Sequence, residues 1–291
     1  PFLAMGDYRQ PVEEPLPFAY RGDLGFQGDL GAFWQNQLLF RVASGWEVGA
    51  NLDFYSSRGV LGGPAAEVRL ADNGGLQGDL LLDSGAIYDL GDDGDRGRSF
   101  DGDPVDPFRY FLEGQFIGGV GEQTDLVGVL HGWSDSEVLR DFREAPFEAH
   151  QYPTSFFDAT FRAQNVLATA LVQAPLADGI AGVERLPALQ AVWLPTPLAE
   201  TGLIAEGWLG YARLREDDPL SPRPTFEADR FEAHGVVRYP VAVNDWLTLT
   251  PRAGGLLSSY AGAEPSGDDA ARAVGELGFD AEALLTGTWE A

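Results

Sequence analysis

The sequence predicts an all-β fold: an antiparallel, up-and-down transmembrane β-barrel, of which this chain holds a part of about 12 to 15 strands. Three observations predict it. Apolar and polar residues alternate with a period of two from end to end, as in strands with one apolar and one polar face. Several alternating segments run to ten residues or more; a globular strand usually has about five or six, a bilayer-spanning one about 9–11. Tight turns and long polar connections succeed one another, the layout of an outer-membrane barrel.

Residues 1–17 stand apart. Pro1, Pro11, Pro15 and Pro17 lie among Glu13 and Glu14, and proline donates nothing to a ladder, so this stretch reads as a linker or an edge. Strands are expected near 18–26, 29–42, 46–56, 60–70, 75–84, 86–91, 108–119, 123–133, 154–164, 166–174, 188–194, 202–214, 227–239, 245–259 and 273–285. The clearest is 46–56. There Val48, Ala50, Leu52 and Phe54 share one face, and Glu47, Gly49, Asn51 and Asp53 the other. Residues 89–107 and 135–153 are long connections rich in Asp, Glu and Arg, expected to be solvated. The chain begins at Pro1 and ends within an alternating segment. It is therefore expected to be a piece of a longer protein, which leaves the lack of a signal peptide uninformative.

Aromatic residues cluster near the expected strand ends, among them Trp34, Trp46, Tyr55, Phe108, Tyr110, Trp133, Trp193, Trp208, Tyr239 and Trp246. Barrels place such girdles at both membrane interfaces, although aromatics also serve as core fillers. The polar faces carry Asp79, Asp83, Glu113, Gln115, Asp158, Thr160, Arg162, Glu232, His234, Arg238, Asp280 and Glu282. In a wide barrel these residues line a hydrated lumen; in a single-layer soluble sheet they face water.

The formal net charge is −26, which argues against nucleic acid as a partner, because neutralising phosphate needs a basic surface. All 19 basic residues are arginine and there is no cysteine, so thiolate metal sites and disulfides are excluded. No stretch approaches the ~20 apolar residues of a membrane helix, a test blind to strands. No glycine-rich phosphate cradle opens a helix. The histidines His131, His150 and His234 do not fall at metal-binding spacing. His131, Ser134 and Asp135 are close in sequence, but neighbours on a strand face opposite ways. The run Asp92-Asp93-Gly94-Asp95 lacks the spacing of a calcium loop and reads as a solvated turn. No catalytic residue, cofactor or metal is expected.

Several strings resemble the barrel domain of the lipopolysaccharide-assembly protein family (LptD, the organic solvent tolerance proteins). They are Tyr-Ser-Ser-Arg-Gly-Val-Leu-Gly-Gly-Pro at 55–64, Asp-Arg-Gly-Arg at 95–98, Trp-Ser-Asp-Ser-Glu-Val-Leu-Arg-Asp-Phe at 133–142, Val-Glu-Arg-Leu-Pro at 183–187 and Glu-Leu-Gly-Phe-Asp at 276–280. Their order matches the family across essentially the whole chain. The resemblance implies a bacterial outer-membrane protein. In this family a periplasmic jellyroll receives lipopolysaccharide from periplasmic bridge proteins. A barrel of about two dozen strands, plugged by a small lipoprotein, passes it to the outer leaflet among the outer-membrane lipids. Residues 1–17 would then be the linker from an absent jellyroll, and 18–291 the first half of the barrel. Pro11, Pro15 and Pro17 would stand at its lateral gate. Arg162, Arg238, Glu113, Asp158 and Glu232 would line the luminal lipid path, with the arginines offsetting the repulsion between carboxylates and lipid phosphates. The cysteines that join the domains in some members have no counterpart here.

Three other readings fit the same pattern: a generic porin or channel, an outer-membrane lipid hydrolase, and a soluble secreted β-sandwich or β-repeat protein. Heat-modifiable migration in detergent separates the membrane barrels from the last of these.

Overall fold

A computed structural model of the chain describes residues 17–71, 75–99, 102–149, 154–176, 182–217, 225–264 and 269–284. Among the described residues fifteen strands form one antiparallel sheet. They are β1 (Phe18–Gln27), β2 (Gly31–Ala43), β3 (Trp46–Tyr55), β4 (Gly59–Leu70), β5 (Leu76–Tyr88), β6 (Phe108–Val120), β7 (Thr124–Trp133), β8 (Ser155–Arg162), β9 (Val166–Ala174), β10 (Gly182–Pro197), β11 (Ile204–Asp217), β12 (Phe226–Arg238), β13 (Val241–Asn244), β14 (Leu247–Glu264) and β15 (Ala270–Ala283). Sequence neighbours pair from β1 to β12, and β14 then pairs with β12, β13 and β15. Among the described residues the sheet does not close on itself: β1 pairs with β2, and β15 with β14. Among the described residues three short α-helices, α1 (Asp93–Arg96), α2 (Val138–Phe142) and α3 (Glu144–Ala149), and one 3-10 turn (Ala199–Thr201) interrupt the strands. The described residues fall into two compact units. One holds β1–β7, the helices and the start of β8; the other holds most of β9 to β15.

The strands depart from the sequence reading in three places. Segments 75–84 and 86–91 are one strand, β5, because Gly85 is not a turn. A side chain there would meet Leu61 at 2.4 Å and Phe111 at 2.6 Å, so the bare backbone makes room for its neighbours. Expected strand 188–194 is the middle of the longer β10, which runs through Pro187 and Pro195. Segment β13 is new; it pairs with the start of β14 beside the edge that β12 occupies further along. Tyr239 and Pro240 separate β12 from β13, and proline brings no amide to continue the ladder there.

The polarity of the sheet is inverted relative to a soluble protein. Along β3, Leu52 and Phe54 are 50% and 42% exposed, whereas Asn51 and Asp53 are 3% and 0% exposed. The two sets alternate as a pleat requires, so the apolar set anticipated for β3 is on the outward face. The outward face of β1–β3 continues this apolar surface with Phe18, Tyr20, Leu24, Trp34 and Phe40. Trp34 stacks on Phe54 with ring centroids 6.1 Å apart. In the first unit two members of the expected girdle sit elsewhere: Tyr55 and Trp133 are 3% and 1% exposed. Their positions in the alternation put them on the polar face, and they belong to a core cluster there.

In the first unit the two long connections, 89–107 and 134–154, leave β5 and β7, while β2, β4 and β6 end in shorter turns. Strands alternate in direction, so both long connections rise from the same end of the sheet. The first stays largely exposed, as its charge suggested, with Asp89, Gly91 and Val105 the buried residues among those described; the second is not the solvated loop that its charge suggested. Val138, Leu139 and Phe142 of α2 are fully buried. Asp92 caps α1, its side chain accepting from the Gly94 and Asp95 amides.

The β2–β3 pairing tolerates little added volume. A Cβ at Gly49 would lie 1.7 Å from the Leu38 carbonyl oxygen. Gly49→Val should therefore destabilise the fold by about 1–3 kcal/mol, read as a lower midpoint of denaturation. An unchanged midpoint would mean that β2 and β3 are not paired in this register.

Candidate functional site on the inner face

The polar face of β2–β7 meets α2 at the end of the sheet that bears the long connections. Leu30, Tyr55, Leu61, Ile87, Phe111 and Trp133 form a buried cluster with Val138, Leu139 and Phe142 of the connection. Burying an aliphatic or aromatic side chain fully is worth roughly 1.5–3 kcal/mol, so three from α2 hold this loop firmly. The Phe142 carbonyl, at the helix C-terminus where intrahelical donors run out, accepts from Gln35 Nε2 at 3.0 Å. The Phe142 ring meets Tyr55 edge-on at 5.1 Å.

Charged groups surround this ring. Arg58, from the β3–β4 turn, gives Nε to Asp89 Oδ1 at 2.6 Å and Nη2 to Asp89 Oδ2 at 2.5 Å, a two-pronged pair. Arg109 of β6 grips Asp135 in the same way, at 3.1 and 2.8 Å. Its Nη1 also reaches Asp141 at 2.6 Å and Asp89 at 3.1 Å. Arg58 Nη2 donates to Asp141 at 3.2 Å. Both guanidiniums lie over the Phe142 ring, with Cζ 5.4 and 5.2 Å from its centroid. Arg143 completes the clamp. It pairs with Asp53 at 2.6 Å and lies over Phe111 at 5.2 Å. Arg58, Arg109 and Asp89 are almost fully buried. Charges so placed persist because each is matched by opposite charge and by hydrogen bonds.

The ionisation of the loop groups follows from this packing. Burial is the strongest single influence on Asp89 and opposes its charge. Hydrogen bonds from Arg58, the Gly91 amide and Arg109 together outweigh it and hold the carboxyl below the usual carboxylate range. Burial likewise opposes the charge on Arg58, and Asp89 and Asp141 overcome it. The arrangement is a structural lock. It fixes a connection against the polar face of β2–β7.

The residues anticipated for function are placed as follows. Pro11 and Pro15 lie outside the described residues. Pro17 is exposed, and its carbonyl accepts from the Arg41 amide at 2.8 Å, extending the β1–β2 ladder by one bond. Glu113 accepts from Trp133 Nε1, and its other oxygen is 2.5 Å from His131 Nδ1. Arg230 lies 3.6 Å from Glu232. Arg238 pairs with Glu206. Asp158 is half-buried and Arg162 exposed on β8, and neither is without a partner. The set is thus spread over β6, β8 and β12. Ser134 gives its hydroxyl to Asp135 at 2.7 Å, while His131 faces Glu113, so the two do not act together. Among the described residues no group of acidic or histidine side chains could hold a metal ion.

The lock itself was not singled out from sequence, yet parts of it were in view. Arg58 lies in the string at 55–64; Asp135, Asp141 and Phe142 lie in the string at 133–142. Asp89 and Arg109, the groups that join the two strings, flank the acidic connection and belong to no motif.

Removing one partner leaves buried charge uncompensated. Arg109→Ala should cost about 3–5 kcal/mol and expose 134–149 to rapid amide exchange. Phe142→Leu keeps most of the apolar burial but loses two cation–π contacts, about 1–2 kcal/mol in total. The acid response follows from Asp89. Its folded pKa lies below the unfolded value of about 3.9, so its stabilisation is complete above that value and is lost as pH falls through the folded one. Protection of 134–149 should stay level from pH 7 to about 4 and decline below it; a decline near pH 6 would contradict this assignment.

No protein-family model matches the chain, and no curated protein does.

Proposed function

We propose that this chain is part of an outer-membrane β-barrel that moves lipopolysaccharide from the periplasm to the outer leaflet. In this reading periplasmic bridge proteins supply the lipid and a plug lipoprotein fills the lumen. The observation that carries the membrane part is the inverted sheet: Leu52 and Phe54 outward, Asn51 and Asp53 buried. Water penalises such an apolar surface, since monomeric soluble proteins rarely expose contiguous apolar patches beyond a few hundred Å². A bilayer instead solvates it, provided the backbone is satisfied by strand pairing. The long connections at one end of β1–β7 then face the cell exterior. The choice of lipopolysaccharide rests on the strings at 55–64 and 133–142. Their charged residues meet in the buried lock, so those residues do a specific structural job in this chain.

An amphiphilic lipid needs two environments: a hydrated one for sugars and phosphates, and an apolar one for acyl chains. The polar inner face and the apolar outer face of one wall provide both. The reading is transport without catalysis.

Depletion of the full-length protein in its host should remove lipopolysaccharide from the cell surface, seen by surface labelling, and leave it in the periplasm. Loss of small-solute uptake with surface lipopolysaccharide intact would favour a porin instead. Leu52→Arg should destabilise the protein in lipid by about 2–4 kcal/mol if position 52 lies near the bilayer midplane. Equal stability of variant and parent in lipid would remove the membrane assignment of this face.

A further inference from the structure

The polar face of the second unit holds an arrangement that stability alone does not favour. In the antiparallel pairing of β12 with β14, Arg238 stands directly opposite Arg252. Residues so paired share a face with Cβ atoms about 4.5–5.5 Å apart, and like charges there repel. Flanking carboxylates relieve the repulsion only in part. Arg238 pairs through Nη2 with Glu206, but its Nε is shielded from water with no hydrogen-bond partner among the described residues. The carboxylate nearest Arg252 is Asp280, 3.8 Å away, beyond hydrogen-bond reach. The position paired with Arg252 on β15 is Gly278. A Cβ there would come within 3.0 Å of Arg252 Nε, so the arginine lies over bare backbone with its donors uncommitted.

We propose that Arg238 and Arg252 form an oxyanion site for a phosphomonoester group on the inner face of the sheet. A guanidinium presents its N–H groups as a planar fork that matches phosphate oxygens two at a time. Two such forks on adjacent strands offer four donors and two positive charges to one dianion. The bound anion replaces mutual repulsion with two attractions and gives partners to donors that lack them. Glu206 and Asp280 keep the empty pair tolerable, yet leave donors open. Inorganic phosphate and the phosphate of a lipid headgroup present the same chemistry. The inference rests on the transport reading above only for the choice between these two sources.

The test uses the full-length protein in detergent micelles, with heat-modifiable migration as the check on folding. Binding of inorganic phosphate and of phosphatidate, with phosphatidylcholine as control, is followed by calorimetry. Arg238→Gln and Arg252→Gln should each weaken binding by about tenfold or more. Arg252→Lys should retain part of it. Arg272→Gln, at a position on the same face of β15 opposite Ser258, should leave it unchanged. Removing one of two opposed charges should also raise thermal stability, so R252Q should melt higher than the parent while binding less. Arginine-dependent binding of phosphatidate alone assigns the site to a lipid headgroup, and of inorganic phosphate alone to the free ion; either supports the site. Binding in both arms that is insensitive to R238Q and R252Q, or lost equally in R272Q, overturns it. No binding in either arm also overturns it. Any of these results leaves the transport reading standing, because surface lipopolysaccharide is measured separately.

Discussion

A guanidinium withdrawn from water must be met by carboxylate on nearly every side, and the inner face of β2–β7 is organised around that demand. Arg58 and Arg109 are too deep for solvent to screen. The carboxylates that meet them come from the ends of β5 and β7 and from α2. Three separate connections are thereby tied to one point. The Phe142 ring fills the space between the two cations and gives them a polarisable surface where water would otherwise sit. The helix is short and its N-cap makes no side-chain hydrogen bond, so its own hydrogen bonds do not explain its persistence. Helices of this length are marginal in water; this one stands because its apolar side is buried and its neighbours are neutralised.

Inversion of the sheet has a second effect. On an outward apolar face, polar atoms have to find partners locally. Asn36, on the outward side of β2, does so: its carboxamide accepts from the Tyr20 hydroxyl at 2.7 Å and donates to the Leu52 carbonyl at 2.9 Å. Trp34 Nε1 donates to the same hydroxyl at 3.2 Å. A polar residue is carried on that surface because its hydrogen bonds are spent inside the patch. On the inner face the same economy works through charge, with Arg21 meeting Glu67 at 2.5 Å and Arg41 meeting Glu47 at 2.8 Å.

Strand existence and facing were legible in the sequence because a period of two leaves a direct trace. Asp53 and Leu52 differ by one position and lie on opposite faces, as alternation demands. Strand limits were less legible where glycine and proline carry two meanings. Gly85 looked like a break and is a packing accommodation; Pro187 looked like an end and lies within β10. The site was the least legible part. Its partners are far apart in the chain, Arg58 from Asp141 and Arg109 from Asp135, and charge in a long connection ordinarily means solvation. The buried Val138, Leu139 and Phe142 were the available signal: apolar residues at the spacing of a helical turn inside an otherwise polar stretch.

The docked loop also bears on how the sheet is assembled. Gln35 and Phe142 are bonded across 107 residues, so their contact forms only after the intervening strands are in place. A slip of one residue in any of those strands would turn its inner side chains outward. Arg109 would then point away from Asp135, and Tyr55 away from Phe142. The loop therefore works as a register check: it can seat only on a wall whose strands are correctly threaded, and a misthreaded wall leaves it loose and open to proteolysis.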